Sequence, residues 1–298
     1  MSGTGLVRLR AFAELGKPRL SALAVFAVIA GCCVGWSPHA WPPLDRVLGT
    51  TAGTFLIAAG SAALNMYRER GLDARMRRTE GRPLPSGRLS PREVLAFGVG
   101  VSALGIAVLL LASNWVATAI CALILLSYVL VYTPMKTRTP LNTFVGAIPG
   151  ALPPVVGFAA VTGGRLGYGA LILFAILFCW QIPHFLAIAW RWRDDYARAG
   201  MRMLPVVDPG GERTRLTMLL YVAGLGIASM LPFVFRMAGE RYLMAAVCLD
   251  FAFFAPAVTA ACTRWESAMR MTFLASVFYL PLMLTAWVLD RQDPLFPQ

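Results

Sequence analysis

Charge is scarce in this sequence. Only 14% of its 298 residues are Asp, Glu, Lys or Arg, where a soluble domain carries roughly 25%. That shortage excludes an ordinary water-soluble fold. Acids are scarcer than bases, 15 against 27, which leaves a formal charge of +12. In a soluble chain such an excess would suggest a nucleic-acid partner. Here the bases lie between apolar blocks and set orientation instead, so no nucleic acid is expected. The six cysteines, Cys32, Cys33, Cys121, Cys179, Cys248 and Cys262, form no CxxC or other metal spacing. They read as small buried hydrophobes, and neither disulfides nor zinc are expected. The first apolar block has no small-residue cleavage site before or after it, and no Arg/Ser-rich transit segment precedes it, so neither a signal peptide nor a mitochondrial address is expected.

What is abundant is apolar sequence: 58% of residues, with a mean hydropathy of +0.65. It comes in blocks near 20 residues long, as a hydrocarbon core about 30 Å thick requires. The expected fold is all-α, a polytopic membrane protein of about nine transmembrane helices in one domain, 1–298. Spans are expected near 20–38, 46–66, 93–113, 115–133, 142–163, 168–190, 215–235, 241–262 and 271–289. Only Ser113-Asn114 separates the third from the fourth. Pro149, Pro153 and Pro154 with Gly146, Gly150 and Gly157 make the fifth irregular, which neighbouring helices or a cavity must accommodate. Twenty-two of the 27 Lys and Arg fall on the side of the N-terminus. That asymmetry predicts a cytoplasmic N-terminus, an outside C-terminus, an active-site cavity facing the cytoplasm, and the plasma (inner) membrane as location.

The longest polar segments, 67–92 and 191–214, share that side. In the first, Asn65, Glu69 and Asp73 recur at i, i+4 and i+8, one face of a helix over roughly 12 Å. An amide carbonyl and two carboxylates are hard oxygen ligands that suit Mg²⁺ bound together with a phosphate group. Arg68, Arg70, Arg75, Arg77, Arg78 and Arg82 surround them, as forks for a diphosphate. The same spacing also serves a solvated face with i,i+4 ion pairs. In the second segment Asp194 and Asp195 follow the sixth span as Glu69 and Asp73 follow the second. His184 lies inside an apolar span, where a polar ring needs partners. It suits a structural hydrogen bond, an axial haem ligand or a proton acceptor. His39 reads as solvated, and Asp250, mid-span, has no evident role.

These segments resemble those of the UbiA-type intramembrane prenyltransferases, and within them the branch that modifies haem. The likeness rests on Asn65 to Gly87, with Met76 to Thr79 and Arg82-Pro83-Leu84. It continues through Tyr132-Thr133-Pro134, Lys136, Thr139 to Asn142, Gly146 to Gly157, Trp180-Gln181-Ile182-Pro183-His184-Phe185, and Asp194 to Val206. It spans roughly residues 10–290. Two departures stand out: Glu69 replaces the commoner Asp, and Asp194-Asp195 stands where the wider family has Asp-x-x-x-Asp. The resemblance implies transfer of a farnesyl group from farnesyl diphosphate to haem B, with addition of water. It implies Mg²⁺ on Asn65, Glu69, Asp73 and Asp194 or Asp195, and diphosphate on Arg68, Arg78, Arg82, Lys136 and Arg138. Asn65, Arg78, Arg82 and His184 are the expected catalytic side chains, with His184 also a haem-binding candidate. Membrane lipid and a downstream haem-modifying enzyme are the further expected partners. Prenylation of a quinone or chlorin, a transporter, and a non-catalytic oxidase assembly factor are the alternatives.

Overall fold

The computed structural model describes residues 3–263 and 266–293; residues 1, 2, 264, 265 and 294–298 lie outside it. It is helical nearly throughout. In chain order, α1 is Gly3–Leu15, α2 Pro18–Val34, α3 Leu44–Asp73, α4 Pro91–Ala112, α5 Trp115–Met135 and α6 Asn142–Val161. Then come α7 Tyr168–Arg191, the short α8 Arg193–Arg198 and α9 Leu204–Val207, and finally α10 Glu212–Val234, α11 Glu240–Thr263 and α12 Glu266–Leu289. Among the described residues eight helices, α3 to α7 and α10 to α12, are long and apolar enough to cross a bilayer. The 17-residue α2 is a shorter apolar helix packed on α3, α6 and α12. α12 packs on both α7 and α2, so the bundle closes on itself.

Local signals set the helix ends. Ser90 caps α4 in a reciprocal box with Glu93, and Pro91 occupies the first helical position. In the two-residue turn before α5, Asn114 Oδ1 accepts from the Ala117 amide, and its Nδ2 donates to the Ala159 carbonyl at 2.8 Å. One residue therefore caps α5 and ties it to α6. α6 is interrupted at Leu152, ahead of Pro153 and Pro154. Gln181 Nε2 donates to the Ala147 carbonyl in this irregular stretch at 2.7 Å. The missing side chain of Gly150 makes room, since a Cβ there would stand 2.2 Å from Gln181 Oε1.

Without a hydrophobic drive between helices in lipid, close packing of small residues carries association. Gly31 of α2 and Gly157 of α6 show how close that packing is. A Cβ on Gly31 would lie 1.9 Å from the Pro154 carbonyl oxygen, and one on Gly157 2.0 Å from that of Val28.

Asp250 finds its role here. Its Oδ2 accepts from Ser229 Oγ of α10 and its Oδ1 from Tyr279 OH of α12, both at 2.6 Å. Tyr242 OH donates to the Ser229 carbonyl at 2.7 Å. The carboxyl pins three helices together within the bundle. Asp250→Ala is expected to lower stability by about 1–2 kcal/mol, the scale of two intramembrane hydrogen bonds. A thermal denaturation series in detergent checks this, with Asp250→Asn losing less because an amide still accepts from one hydroxyl.

Candidate active site

α3 does not stop at the edge of its apolar stretch. It runs on to Asp73, so Asn65, Glu69 and Asp73 lie on one buried face of a continuous helix, each less than 5% exposed. Their neighbours come from three other parts of the chain. Near its end α5 widens into a π-helical stretch, Ser127–Tyr132, followed by one turn of α-helix. The wider turns bring Thr133 Oγ1 within 3.2 Å of Asn65 Oδ1 and Lys136 Nζ within 2.7 Å of Glu69 Oε1. Tyr132 lies flat on Gly146, where a Cβ would stand 2.5 Å from its ring, and Lys136 Nζ sits 4.6 Å from the ring centroid. From the turns after α3, Arg82 Nη1 reaches both oxygens of Asp73, at 2.7 and 2.8 Å. Lys17, between α1 and α2, adopts φ 43°, a left-handed conformation that non-glycine residues rarely hold.

These groups line a cavity of about 140 Å³ together with Arg78, Tyr196 and the side chains of Met76, Met201 and Met203. Four cations, Lys17, Arg78, Arg82 and Lys136, face two carboxylates, so the cavity carries a positive surplus. Burial first, and then the charges of Arg82 and Lys136, bring the pKa of Lys17 down to about 7 against the opposing pull of Glu69 and Asp73. Burial also works against the charge of Lys136. Glu69 and the phenols of Tyr132 and Tyr128 outweigh it and hold that ammonium above its usual range. A small polar cavity with surplus positive charge at the end of an apolar bundle suits a diphosphate whose hydrocarbon tail stays in the membrane.

The second polar segment closes the cavity. Asp195 Oδ2 accepts from the Arg78 amide at 3.1 Å, and Asp195 also pairs with Arg198. Arg78 Nη2 donates to Tyr196 OH at 3.2 Å. Asp195 therefore anchors the two polar segments to each other. Its neighbour Asp194, a short helical step round, has a side chain 88% exposed and points away from the cavity. Arg68 and Arg138 are exposed too and do not line the cavity. His184 lies elsewhere, on α7, stacked between Trp180 and Phe273 at 5.0 and 5.2 Å. Its Nδ1 is 2.7 Å from Ser276 Oγ. Ser276 Oγ also lies within hydrogen-bonding distance of the Phe273 carbonyl, so the serine ties the imidazole to the backbone of α12.

Lys17, Tyr132 and Tyr196 belong to the cavity although no spacing in the sequence singles them out. Tyr132 and Tyr196 do fall within the stretches that carry the family likeness, and all three are polar residues at a span boundary on the basic side. Among the described residues no three His, Cys, Asp or Glu side chains meet as a metal cluster. The oxygen donors present are an amide and two carboxylates, the harder set that suits Mg²⁺. Glu69 Oε1 is buried with no aligned hydrogen bond, held only by the charge of Lys136. That is an oxygen with capacity left for a cation.

A family model described as the UbiA prenyltransferase family matches residues 24–289. A protoheme IX farnesyltransferase of Solibacter usitatus is 46% identical over 95% of this chain and 99% of its own length. Another, of Aromatoleum aromaticum, is 41% identical over 97% of this chain and 94% of its own. Among solved structures, one described as digeranylgeranylglyceryl phosphate synthase superposes with a TM-score of 0.79 at 19% identity, covering 95% of this chain and 98% of that one. A UbiA homologue from Archaeoglobus fulgidus bound to GPP and Mg²⁺ superposes at 0.62 with 18% identity, covering 94% and 99%. These two likenesses concern the fold.

The contrast between adjacent acids is testable. Asp195→Ala removes a buried carboxylate with two partners and is expected to cost about 2–3 kcal/mol of stability. Asp194→Ala, at an exposed site, is expected to change it by less than about 0.5 kcal/mol. Melting temperatures of the two variants in one detergent decide the matter.

Proposed function

The chain belongs to the UbiA prenyltransferase family, and from that premise we propose that it transfers the farnesyl group of farnesyl diphosphate to a vinyl group of haem B, with addition of water, giving haem O and diphosphate. The observation that carries the reading is the 46% identity to a protoheme IX farnesyltransferase along nearly the whole of both chains. The cavity supports the donor half of the reaction. The whole chain acts as one catalytic domain of a multi-pass membrane protein. Its basic end faces the cytoplasm, where a soluble diphosphate is met.

Asn65, Glu69 and Asp73 are the residues that would hold Mg²⁺, with Asp195 the nearest acid of the second segment. When bound, the ion supplies positive charge against the leaving diphosphate. Lys17, Arg78, Arg82 and Lys136 bind and orient the phosphate oxygens. Lys136 and Arg82 are preorganised by their ion pairs with Glu69 and Asp73, and Arg78 by its bond to Tyr196 OH. The farnesyl C–O bond breaks with its electron pair going to diphosphate, and the vinyl π-electrons of haem form the new C–C bond. The cation left on the vinyl carbon beside the macrocycle takes hydroxide from water, whose proton is released. Tyr132 and Tyr196 line the cavity and hold Lys136 and Arg78 in place through cation–π contacts. The apolar helices keep bulk water from the transient allylic charge. His184, held between Trp180 and Phe273 and bonded to Ser276, is the side chain assigned to the acceptor half of the reaction. Arg68, Arg138 and Asp194 take no direct part, because they are exposed and outside the cavity. A downstream haem-modifying enzyme is the natural recipient of the product.

Extraction of the pigments from bacterial membranes containing the protein tests the proposal by mass. The expected new species is heavier than haem B by one farnesyl group and one water. Unchanged haem B, with the protein inserted and farnesyl diphosphate supplied, would move the acceptor to a quinone-type ring. His184→Ala is expected to keep fold and diphosphate binding while lowering haem farnesylation at least about 100-fold, the scale of losing one polar catalytic group. Turnover like that of the unaltered protein would remove His184 from the mechanism.

A further inference from the structure

Arg88 lies in the turns between α3 and α4 and does not line the polar cavity, yet four of its five N–H donors are engaged. Nη1 and Nη2 meet the two oxygens of Glu14 on α1 at 2.9 and 2.7 Å. Nη2 also donates to the Gly81 carbonyl at 2.7 Å, and Nε to Ser86 Oγ at 3.0 Å. Ser86 Oγ in turn donates to the Arg82 carbonyl at 2.7 Å. One planar guanidinium therefore holds the chain on both sides of Arg82, whose own side chain reaches Asp73 in the cavity. Gly87, at φ 71°, lets the chain reverse just before Arg88.

The same guanidinium reaches Lys17 through α1. Glu14 stands in the last turn of that helix, and the Lys17 amide donates to its carbonyl at 3.2 Å. The joint beyond is tight. A Cβ on Gly16 would stand 3.4 Å from that of Ala59, and Ser21 Oγ donates to the Gly16 carbonyl at 2.8 Å. The far end of α1 is fastened by an ion pair of Arg8 with Glu93, and Ala11 and Leu15 are buried in a cluster with Ala63 of α3 and Val94 of α4.

Lys17 and Arg82 carry like charge and repel one another across the cavity. Neither sits inside a spanning helix, so something outside the cavity must hold their segments in register. The Glu14 and Arg88 side chains are 48% and 29% exposed, and a pair so exposed contributes little to stability. What it supplies is geometry, because a two-pronged fork on a carboxylate fixes direction as well as distance.

We infer that Glu14 and Arg88 are positioning residues for the polar cavity: Arg88 sets the turn that carries Arg82 and, through Glu14, the end of α1 that carries Lys17. The inference rests on the reading of that cavity as the diphosphate site, and adds to it a pair outside the cavity that governs its affinity.

The test is calorimetric titration of the full chain in detergent with farnesyl diphosphate and Mg²⁺, haem absent. Arg88→Ala is expected to bind about tenfold more weakly, the scale of misplacing one charge-assisted contact. Arg92→Ala, at an exposed arginine of α4, controls for lost positive charge and is expected to stay within about twofold of the unaltered protein. A double-mutant cycle separates positioning from support of the fold. On an Arg82→Ala background, Arg88→Ala is expected to cost about threefold or less, because it acts through Arg82. On a Lys17→Ala background, Glu14→Ala is expected to cost nothing further. A loss that came from the fold would appear in full on either background. Affinity of Arg88→Ala within about twofold of the unaltered protein would overturn the inference. So would the full loss persisting on the Arg82→Ala background, or an equal loss in Arg92→Ala. Should Arg88→Ala not fold, Arg88→Lys decides, since an ammonium keeps the charge beside Glu14 but cannot span Glu14, Gly81 and Ser86 together. Weakened binding then supports the inference and unaltered binding overturns it. Binding that Arg82→Ala leaves unchanged removes the cavity as the diphosphate site and the inference with it, whereas binding that needs Arg82 but not Arg88 removes this inference alone.

Discussion

Glu69 and Asp73 are carboxylates held almost out of water where α3 leaves the apolar bundle. A buried carboxylate is tolerated only when paired, and removing one partner of such a pair costs about 3–5 kcal/mol. The structure meets that demand with Lys136 for Glu69 and Arg82 for Asp73. Each cation arrives from a different part of the chain, so much of the local architecture exists to bring it there. The π-helical stretch of α5 turns Thr133 and Lys136 inward. Gly146 leaves room for Tyr132 under the Lys136 ammonium. Asp195 anchors the backbone at Arg78, four residues before Arg82, and so steadies the turns that carry both arginines.

The same pairing shapes the chemistry. In the absence of substrate the cations neutralise the carboxylates, and two further cations, Lys17 and Arg78, leave the cavity short of negative charge. On the function proposed above, a diphosphate would supply that charge and compete with the carboxylates for Lys136 and Arg82, freeing oxygen ligands on Glu69 and Asp73. Metal and diphosphate would then assemble the site together, each relieving the cost the other imposes, which is a coupling free energy between two ligands at one cavity.

Most of the spans could be read from sequence, because apolar blocks of membrane length are bounded by charges at one end. The helical spacing of Asn65, Glu69 and Asp73 was readable too, since periodicity alone puts them on one face. The continuation of α3 to Asp73 was harder to see: polarity rises after Asn65, but nothing before Gly71 breaks a helix, and packing of the polar face sustains it. α1 was not foreseen, because a 13-residue helix interrupted by charges is too short to carry a membrane signal. Adjacent acids such as Asp194 and Asp195 cannot be told apart by sequence, as neighbouring helical residues point in different directions and only the fold says which is inward. Asp250 looked anomalous until its partners, 21 and 29 residues away, were in view.

The coupling is the central claim, and metal binding tests it directly. Mn²⁺, a spin-active stand-in for Mg²⁺, is titrated into the purified protein with and without farnesyl diphosphate and followed by electron paramagnetic resonance, with Mn²⁺ bound to free diphosphate measured as the blank. The account predicts weak binding to the protein alone and at least about tenfold tighter binding with the diphosphate present, a coupling of roughly 1.4 kcal/mol or more. Equally tight binding in both conditions would mean that Lys136 and Arg82 do not hold the carboxylates closed, and would contradict the account.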